Sequence, residues 1–241
     1  ELGMDSAAIT DHGVMYGVID FYRAAKAAGI NPILGCEVYV APGSRFDREI
    51  GSGDDRYYHL VLLAENNQGY QNLMKIVSKS FKEGFYYKPR VDLELLREYH
   101  EGLIALSACL AGEVARFLTR GMYPDAKKAA LRYQEIFGEG NFFLELQDHG
   151  IPEQQNVNQQ LLRMHQETGI DLVATNDIHY TYKEDADPHD ILLCLQTGKK
   201  LSDTDRMRYE GGQYYVKSEQ EMAALFPYAC LLYTSDAADE G

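Results

Sequence analysis

Short apolar runs alternate with longer segments of helical periodicity from the first residues to about residue 180. The runs are Ala7-Ala8-Ile9, Ile33-Leu34 with Val38-Tyr39-Val40, Leu60-Val61-Leu62-Leu63, Leu103-Ile104-Ala105-Leu106, Phe142-Phe143-Leu144 and Leu172-Val173-Ala174. Runs this short, bounded by helical stretches, predict buried parallel strands. Between the first two, Val18, Phe21, Tyr22 and Ala25 fall at i, i+3, i+4 and i+7, which predicts a helix over Tyr16 to Ala28 stopped by Gly29. Tyr70, Leu73, Met74, Val77 and Phe81 predict a second over Tyr70 to Phe81, and Pro152 to Thr168 reads as a third, ended by Gly169. Strand–helix repetition of this kind predicts an α/β fold, a barrel or a doubly wound sheet.

After Tyr182 the chain becomes more polar, with a helix-like stretch around Asp190 to Gln196, then Gly211-Gly212 and an aromatic run at Tyr214-Tyr215-Val216. The pattern predicts a domain over 1–182 and a C-terminal extension over 183–228. Residues 229–241 continue neither pattern and read as a non-native tail, such as a translated adapter. At the other end, Glu1-Leu2-Gly3 reads as the end of a helix, so an upstream start is expected.

Composition narrows the function classes. The 241 residues carry 23 Lys and Arg against 37 Asp and Glu, a net charge of −14, which argues against a general DNA-coating protein. It leaves room for a local site where cations receive phosphate. No apolar run approaches the ~20 residues a membrane-spanning helix needs. Four cysteines (Cys36, Cys109, Cys194, Cys230) with no CxxC spacing predict a reducing compartment and no bridges. No glycine-rich phosphate loop follows any predicted strand.

Metal-type side chains gather at the predicted strand ends. Asp11 and His12 follow the first strand, Glu37 sits in the second, Cys109 follows the run at 103–106, and Asp177 and His179 follow the run at 172–174. In a barrel the C-terminal strand ends converge on one mouth, so ligands scattered along the chain can meet there. An Asp-x-His pair can share one face of an extended segment. Mixed His, carboxylate and Cys donors suit zinc or manganese better than magnesium or calcium. Bland readings stand beside these: Asp11-His12-Gly13 as a turn and helix cap, Cys109 as a small buried hydrophobe, His149 as a satisfied structural histidine. His100, His165 and His189 read as surface residues. His59 precedes its apolar run, at the wrong end for an ordinary barrel mouth, and spacing alone does not recruit it.

Several stretches occur in a telling order: Thr10-Asp11-His12-Gly13, Gly35-Cys36-Glu37-Val38-Tyr39, His59 to Ala64 with Gly69-Tyr70-Gln71-Asn72-Leu73, Gly84 to Arg90, Ser107-Ala108-Cys109-Leu110 and Thr175-Asn176-Asp177-Ile178-His179-Tyr180. Together they resemble the polymerase-and-histidinol-phosphatase (PHP) family, in the branch found at the N-terminus of bacterial replicative DNA polymerase III alpha subunits. The similarity runs from Glu1 to about Pro227, with 184–227 resembling the passage towards the polymerase palm. The resemblance implies a distorted (βα)7-type, TIM-like barrel lacking its first strand, with up to three zinc or manganese ions. Carried over by motif, the metal ligands are His12, Glu37, His59, Cys109, Asp177 and His179, of which Asp177, His179 and His12 are the catalytic set; the family's His-x-His motif is expected upstream of Glu1. Asp11, His149, Tyr87, Lys88 and Arg90 are carried as supporting or substrate residues, with Tyr86 to Arg90 suited to gripping a single strand. The implied activity is metal-dependent 3′→5′ hydrolysis of DNA, that is, proofreading. The implied parent is a cytoplasmic DNA polymerase using magnesium and meeting DNA and other replisome subunits. Two alternatives accompany this: a structural PHP domain without catalysis, and a free-standing phosphatase, which has no need of a polymerase-like extension.

Overall fold

The computed structural model describes residues 2–49 and 56–228. The tail expected over 229–241, and Cys230 with it, lies outside the described residues. The chain divides into two compact units, Glu1–Glu145 with Gln160–Leu172, and Leu146–Gln159 with Val173–Gly241.

The first unit opens with β1 (Ser6–Ile9), α1 (Val18–Ala27), β2 (Asn31–Val40), β3 (Tyr58–Ala64) and α2 (Asn67–Lys82). A hairpin of β4 (Phe85–Tyr86) and β5 (Lys88–Val91) follows, then α3 (Leu93–Glu98), β6 (Leu103–Leu106), α4 (Glu113–Thr119), α5 (Tyr123–Phe137) and β7 (Phe142–Leu146). Polar side chains start two of these helices: Asn66 accepts the Gly69 N–H and Asp92 the Leu95 N–H, each satisfying a donor the first turn leaves open. Within this unit the sheet order is β4-β5-β2-β3-β6-β7, with β1 on β2. Cys36, Leu62, Leu73, Ile76, Leu95 and Ala105 are completely enclosed between sheet and helices. Each buried Leu or Ile contributes roughly 1.5–3 kcal/mol before the entropy of ordering is charged against it. Gly69 is needed where α2 crosses the turn at Gly102, since a Cβ there would lie 1.7 Å from the Gly102 carbonyl oxygen.

The α/β class and the TIM-like alternation agree with the sequence, but the expectation of parallel strands throughout does not. β1–β2, β2–β5 and β6–β7 are parallel, whereas β3 runs antiparallel to both β2 and β6. A parallel crossover is usually made by a helix, and the described residues between β2 and β3 form none, so β3 returns alongside β2 in the opposite direction. The start of β3 therefore lies level with the end of β2, Tyr39 opposite His59 and Val40 opposite Tyr58.

The second unit takes the end of β7, the first half of α6 (Pro152–Thr168) and the end of β8 (Leu172–Ala174). The Thr175 N–H donates to the Leu146 carbonyl at 3.0 Å. Irregular chain then leads through a short turn at Lys183–Asp185 to α7 (Ala186–Thr197), and after a second at Glu210–Gly212 to α8 (Glu219–Leu225). Ser218 and Glu221 cap α8 reciprocally. The aromatic run Tyr214 to Val216 is not a strand: its backbone groups pair with residues 179–181 in irregular geometry instead. No helix among the described residues is long and apolar enough to cross a membrane.

Candidate metal centre

The centre in the first unit grows out of the strand ladder. Past the end of β1, the Asp11 carbonyl accepts the Glu37 N–H at 3.0 Å and the Glu37 carbonyl accepts the Gly13 N–H at 2.9 Å, so His12 and Glu37 form one further parallel bridge. Asp11 also accepts the Cys36 thiol at 3.3 Å. Its contribution is thus through its backbone, and α1 starts at Gly17 without any side-chain cap, so the helix-cap reading of Asp11 does not hold. On the β2–β3 pair, Glu37 and Tyr39 share a face with His59 and Val61, which makes Glu37 and His59 diagonal neighbours. The reversal of β3 is what brings His59 to this edge, the placement that spacing by itself could not supply.

Glu37 sits between two imidazoles. Its Oε2 lies 3.0 Å from His12 Nδ1 and its Oε1 2.5 Å from His59 Nδ1. Ligand atoms of these three side chains all fall within 4.8 Å of one another. The Cys109 sulfur adds a fourth donor, 3.6 Å from His59 Nδ1 and 4.0 Å from Glu37 Oε1. Cys109 is presented by Ala108, whose φ of 63° is left-handed and costly for a residue with a Cβ. A buried carboxylate offsets that cost: Glu145 accepts the Ala108 N–H at 2.9 Å while its own N–H donates to the Ser107 hydroxyl at 2.8 Å.

Electrostatics suit a cation. Burial by itself would push the Glu37 carboxyl up, but the hydrogen bonds of His12 and His59 outweigh it and bring the group down to about 2. Glu37 therefore stays ionised, the form a metal requires. Cys36 beside it is pushed the other way, up to about 12, by burial, which keeps it a thiol. Two imidazoles, one carboxylate and one thiol make a borderline donor set that fits a divalent metal ion. Tyr39 and Tyr57 wall the centre, with ring centroids 5.3 Å and 6.0 Å from that of His59.

The remaining predicted residues fall as follows. Asp177 and His179 belong to the second unit, with His179 Nε2 3.3 Å from Asp177 Oδ1. They do not share an extended face as expected: Asp177 has φ of 44°, and the turn rather than the pleat brings the side chains together. His149 is buried, its Nε2 2.7 Å from the Asn176 carbonyl and its Nδ1 2.9 Å from the Gln154 amide, and it stacks on Tyr214 at 3.9 Å. That is a satisfied structural histidine. His100 is exposed, but His165 and His189 are half-buried rather than superficial. Tyr87 is exposed with Arg56 over its ring, and Lys88 lies over the Tyr39 ring at 5.3 Å. Arg90 does not fit the expected strand-gripping role. It is 1% exposed, and its guanidinium is spent on the carbonyls of Gly84, Arg45 and Asp47. Sequence reasoning passed over Tyr39, though it lies two residues from Glu37 in a strand. It also passed over Glu145, whose Phe-Phe-Leu-Glu-Leu setting shows the same carboxylate-among-apolar signal that drew attention to Glu37.

The sequence profile of the PHP domain matches residues 1–149. DNA polymerase III subunit alpha of Treponema pallidum is 48% identical over 227 residues, covering 94% of this chain and 19% of that protein. The subunits of Borreliella burgdorferi and Thermus aquaticus are 46% and 47% identical, each over 92% of this chain and over 19% and 18% of theirs. The chain thus spans about a fifth of the length of these curated relatives. With the profile covering more than half of its residues, around His12, Glu37, His59 and Cys109, the chain belongs to the PHP domain family.

Proposed function

We propose that this chain is the PHP region of a replicative DNA polymerase III alpha subunit, and that its metal centre hydrolyses phosphodiester bonds at the 3′ end of DNA as a proofreading exonuclease. The observation that carries the reading is the ionised Glu37 held between His12 and His59, with the Cys109 sulfur beside them. His12, Glu37, His59 and Cys109 would hold zinc or manganese; Asp177 and His179 are proposed as further ligands, on their Asp-x-His motif and their own pairing. A divalent ion bound by such residues supplies Lewis-acid stabilisation of phosphoryl oxygens and lowers the pKa of water. The chain's own residues prepare for that: the ladder aligns the donors before any ligand arrives, and the rings of Tyr39 and Tyr57 pack beside that of His59. Cationic charge there would attract DNA phosphates to an otherwise acidic chain. The domain division at residue 182, the cytoplasmic setting, the replisome partners and the parent's magnesium-dependent polymerisation belong to the same proposal.

The test is release of 3′-terminal nucleotides from labelled single-stranded DNA with added Mn2+ or Zn2+, using the parent polypeptide that contains this chain. Wild type is expected to release them, and the His12→Ala, Glu37→Gln double variant to fall to background while still binding primer–template. Equal release by both would overturn the assignment. A metal-loaded wild type that releases nothing would favour a bracing role without catalysis.

A further inference from the structure

Asp177, at a φ of 44°, adopts a left-handed conformation that residues with side chains seldom take, and such a turn persists only where the surroundings over-determine it. In the second unit, both flanks of the Asp177-Ile178-His179 turn are tied to one later segment, residues 213–217. On the N-terminal side, the Asn176 amide donates to the carbonyls of Tyr215, at 2.6 Å, and Gln213, at 3.3 Å. Its oxygen accepts from the Lys217 ammonium at 3.0 Å, and the same ammonium donates to the Gln213 carbonyl. On the C-terminal side, the N–H groups of His179 and Tyr180 both donate to the Tyr214 carbonyl, at 2.9 and 3.3 Å. The Tyr214 N–H returns a bond to the Tyr180 hydroxyl, and the Val216 N–H donates to the Thr181 carbonyl.

Lys217 is the expensive member of this clasp. It is 4% exposed, its ammonium meets neutral acceptors and the Tyr215 ring face at 4.3 Å, and burial pushes its pKa down. A buried ammonium is costly unless its hydrogen bonds are met, so its place here calls for a return in geometry. Everything it holds leads to Asn176, the residue before Asp177.

We propose that Asn176 and Lys217 are positioning residues for the Asp177–His179 pair: their clasp on residues 213–217 fixes the left-handed turn at Asp177 and with it the arrangement in which both side chains take a divalent cation. The extension beyond residue 182 is then part of the metal-binding apparatus and not a passive connector. This rests on the reading of Asp177 and His179 as ligands.

The experiment titrates the 241-residue chain, labelled with 13C-histidine, with Mn2+ alone and follows paramagnetic broadening of each imidazole signal. In wild type, the His179, His12 and His59 signals broaden at low Mn2+. In Lys217→Met, broadening of His179 needs about tenfold more Mn2+, the scale on which supporting residues act on metal sites, while His12 and His59 respond as before. Asn176→Asp, which keeps an acceptor for Lys217 but loses both donor bonds, shifts His179 in the same direction and carries the test if Lys217→Met fails to fold. Wild-type Mn2+ dependence of His179 in a folded variant overturns the positioning role. A wild-type His179 signal that never broadens overturns the ligand reading beneath it, and the two failures are distinguishable because the second appears without any mutation.

Discussion

The two groups of candidate ligands are built by opposite means. His12, Glu37 and His59 are set by strand pairing: a parallel bridge aligns the first two, and an antiparallel register places the third diagonally across. Asp177 and His179 lie in irregular chain, where side-chain and backbone hydrogen bonds with a segment more than thirty residues later impose the turn. A ladder distributes the task over many equivalent bonds, so most single substitutions around it are absorbed. A clasp concentrates it in a few polar atoms, and each of those is individually exposed to loss.

The largest effect should come from the ligand at the middle of the ladder. Glu37→Gln keeps the shape and removes the charge shared by His12 and His59, so affinity for Mn2+ or Zn2+ at the first group should fall more than about 100-fold, beyond what supporting residues cost. Competition against a chelating dye measures it, and an unchanged isotherm would detach Glu37 from the metal.

Next comes the ladder's own weak point, the bridge between His59 and Gly112. A Cβ on Gly112 would lie 2.1 Å from the Ser107 carbonyl oxygen, so Gly112→Ala must open the 107–112 turn that carries Cys109 and the Ala111 carbonyl accepting the His59 N–H. Overpacking of this kind costs about 1–3 kcal/mol, read as a lower urea midpoint at constant slope. A midpoint matching wild type would mean that this turn yields freely.

In the second unit, pH offers a smaller and signed effect. Burial pushes the His149 imidazole down from its ordinary 6.5, so the unfolded chain takes up a proton there before the folded chain does. Stability is complete above pH 6.5 and declines as the pH falls below it, by at most about 1.4 kcal/mol per pH unit for this one group. Urea melts at pH 7.5 and 5.5 should show a smaller loss for His149→Gln than for wild type. Equal losses would mean that His149 charges freely in the fold.

The smallest effect is expected where neither device reaches. Arg163 on α6 pairs with Glu167 at the surface, at 2.7 Å, and Arg163→Ala should leave the midpoint and the Mn2+ isotherm where they were. A measurable loss of metal affinity there would undo the contrast between local and distributed positioning.

Much of this was legible along the chain. Val18 and Ala25 on the first helix stripe and the apolar runs at 60–63 and 103–106 report local burial, which has a period, although Tyr22 of the same stripe is 44% exposed. Glu37 stood out because a carboxylate among apolar neighbours must have partners. Arg90 misled for a related reason: its Tyr-Tyr-Lys-Pro-Arg setting looks solvated in one dimension, and only folding shows its guanidinium closing the loop at Arg45 and Asp47.

Composition and periodicity by themselves determined that this chain folds as alternating strands and helices, with metal-type donors at the strand ends, because those features depend on neighbours a few residues away. Tertiary structure alone decided the direction of β3, the left-handed turns at Ala108 and Asp177, and the clasp from Lys217. Strand direction leaves the period-2 pattern unchanged, and a strained turn is held by atoms far along the polypeptide, so neither leaves a local trace. His59 is the clearest instance: the same residue sits at the wrong end of a parallel strand and at the centre of the site in an antiparallel one.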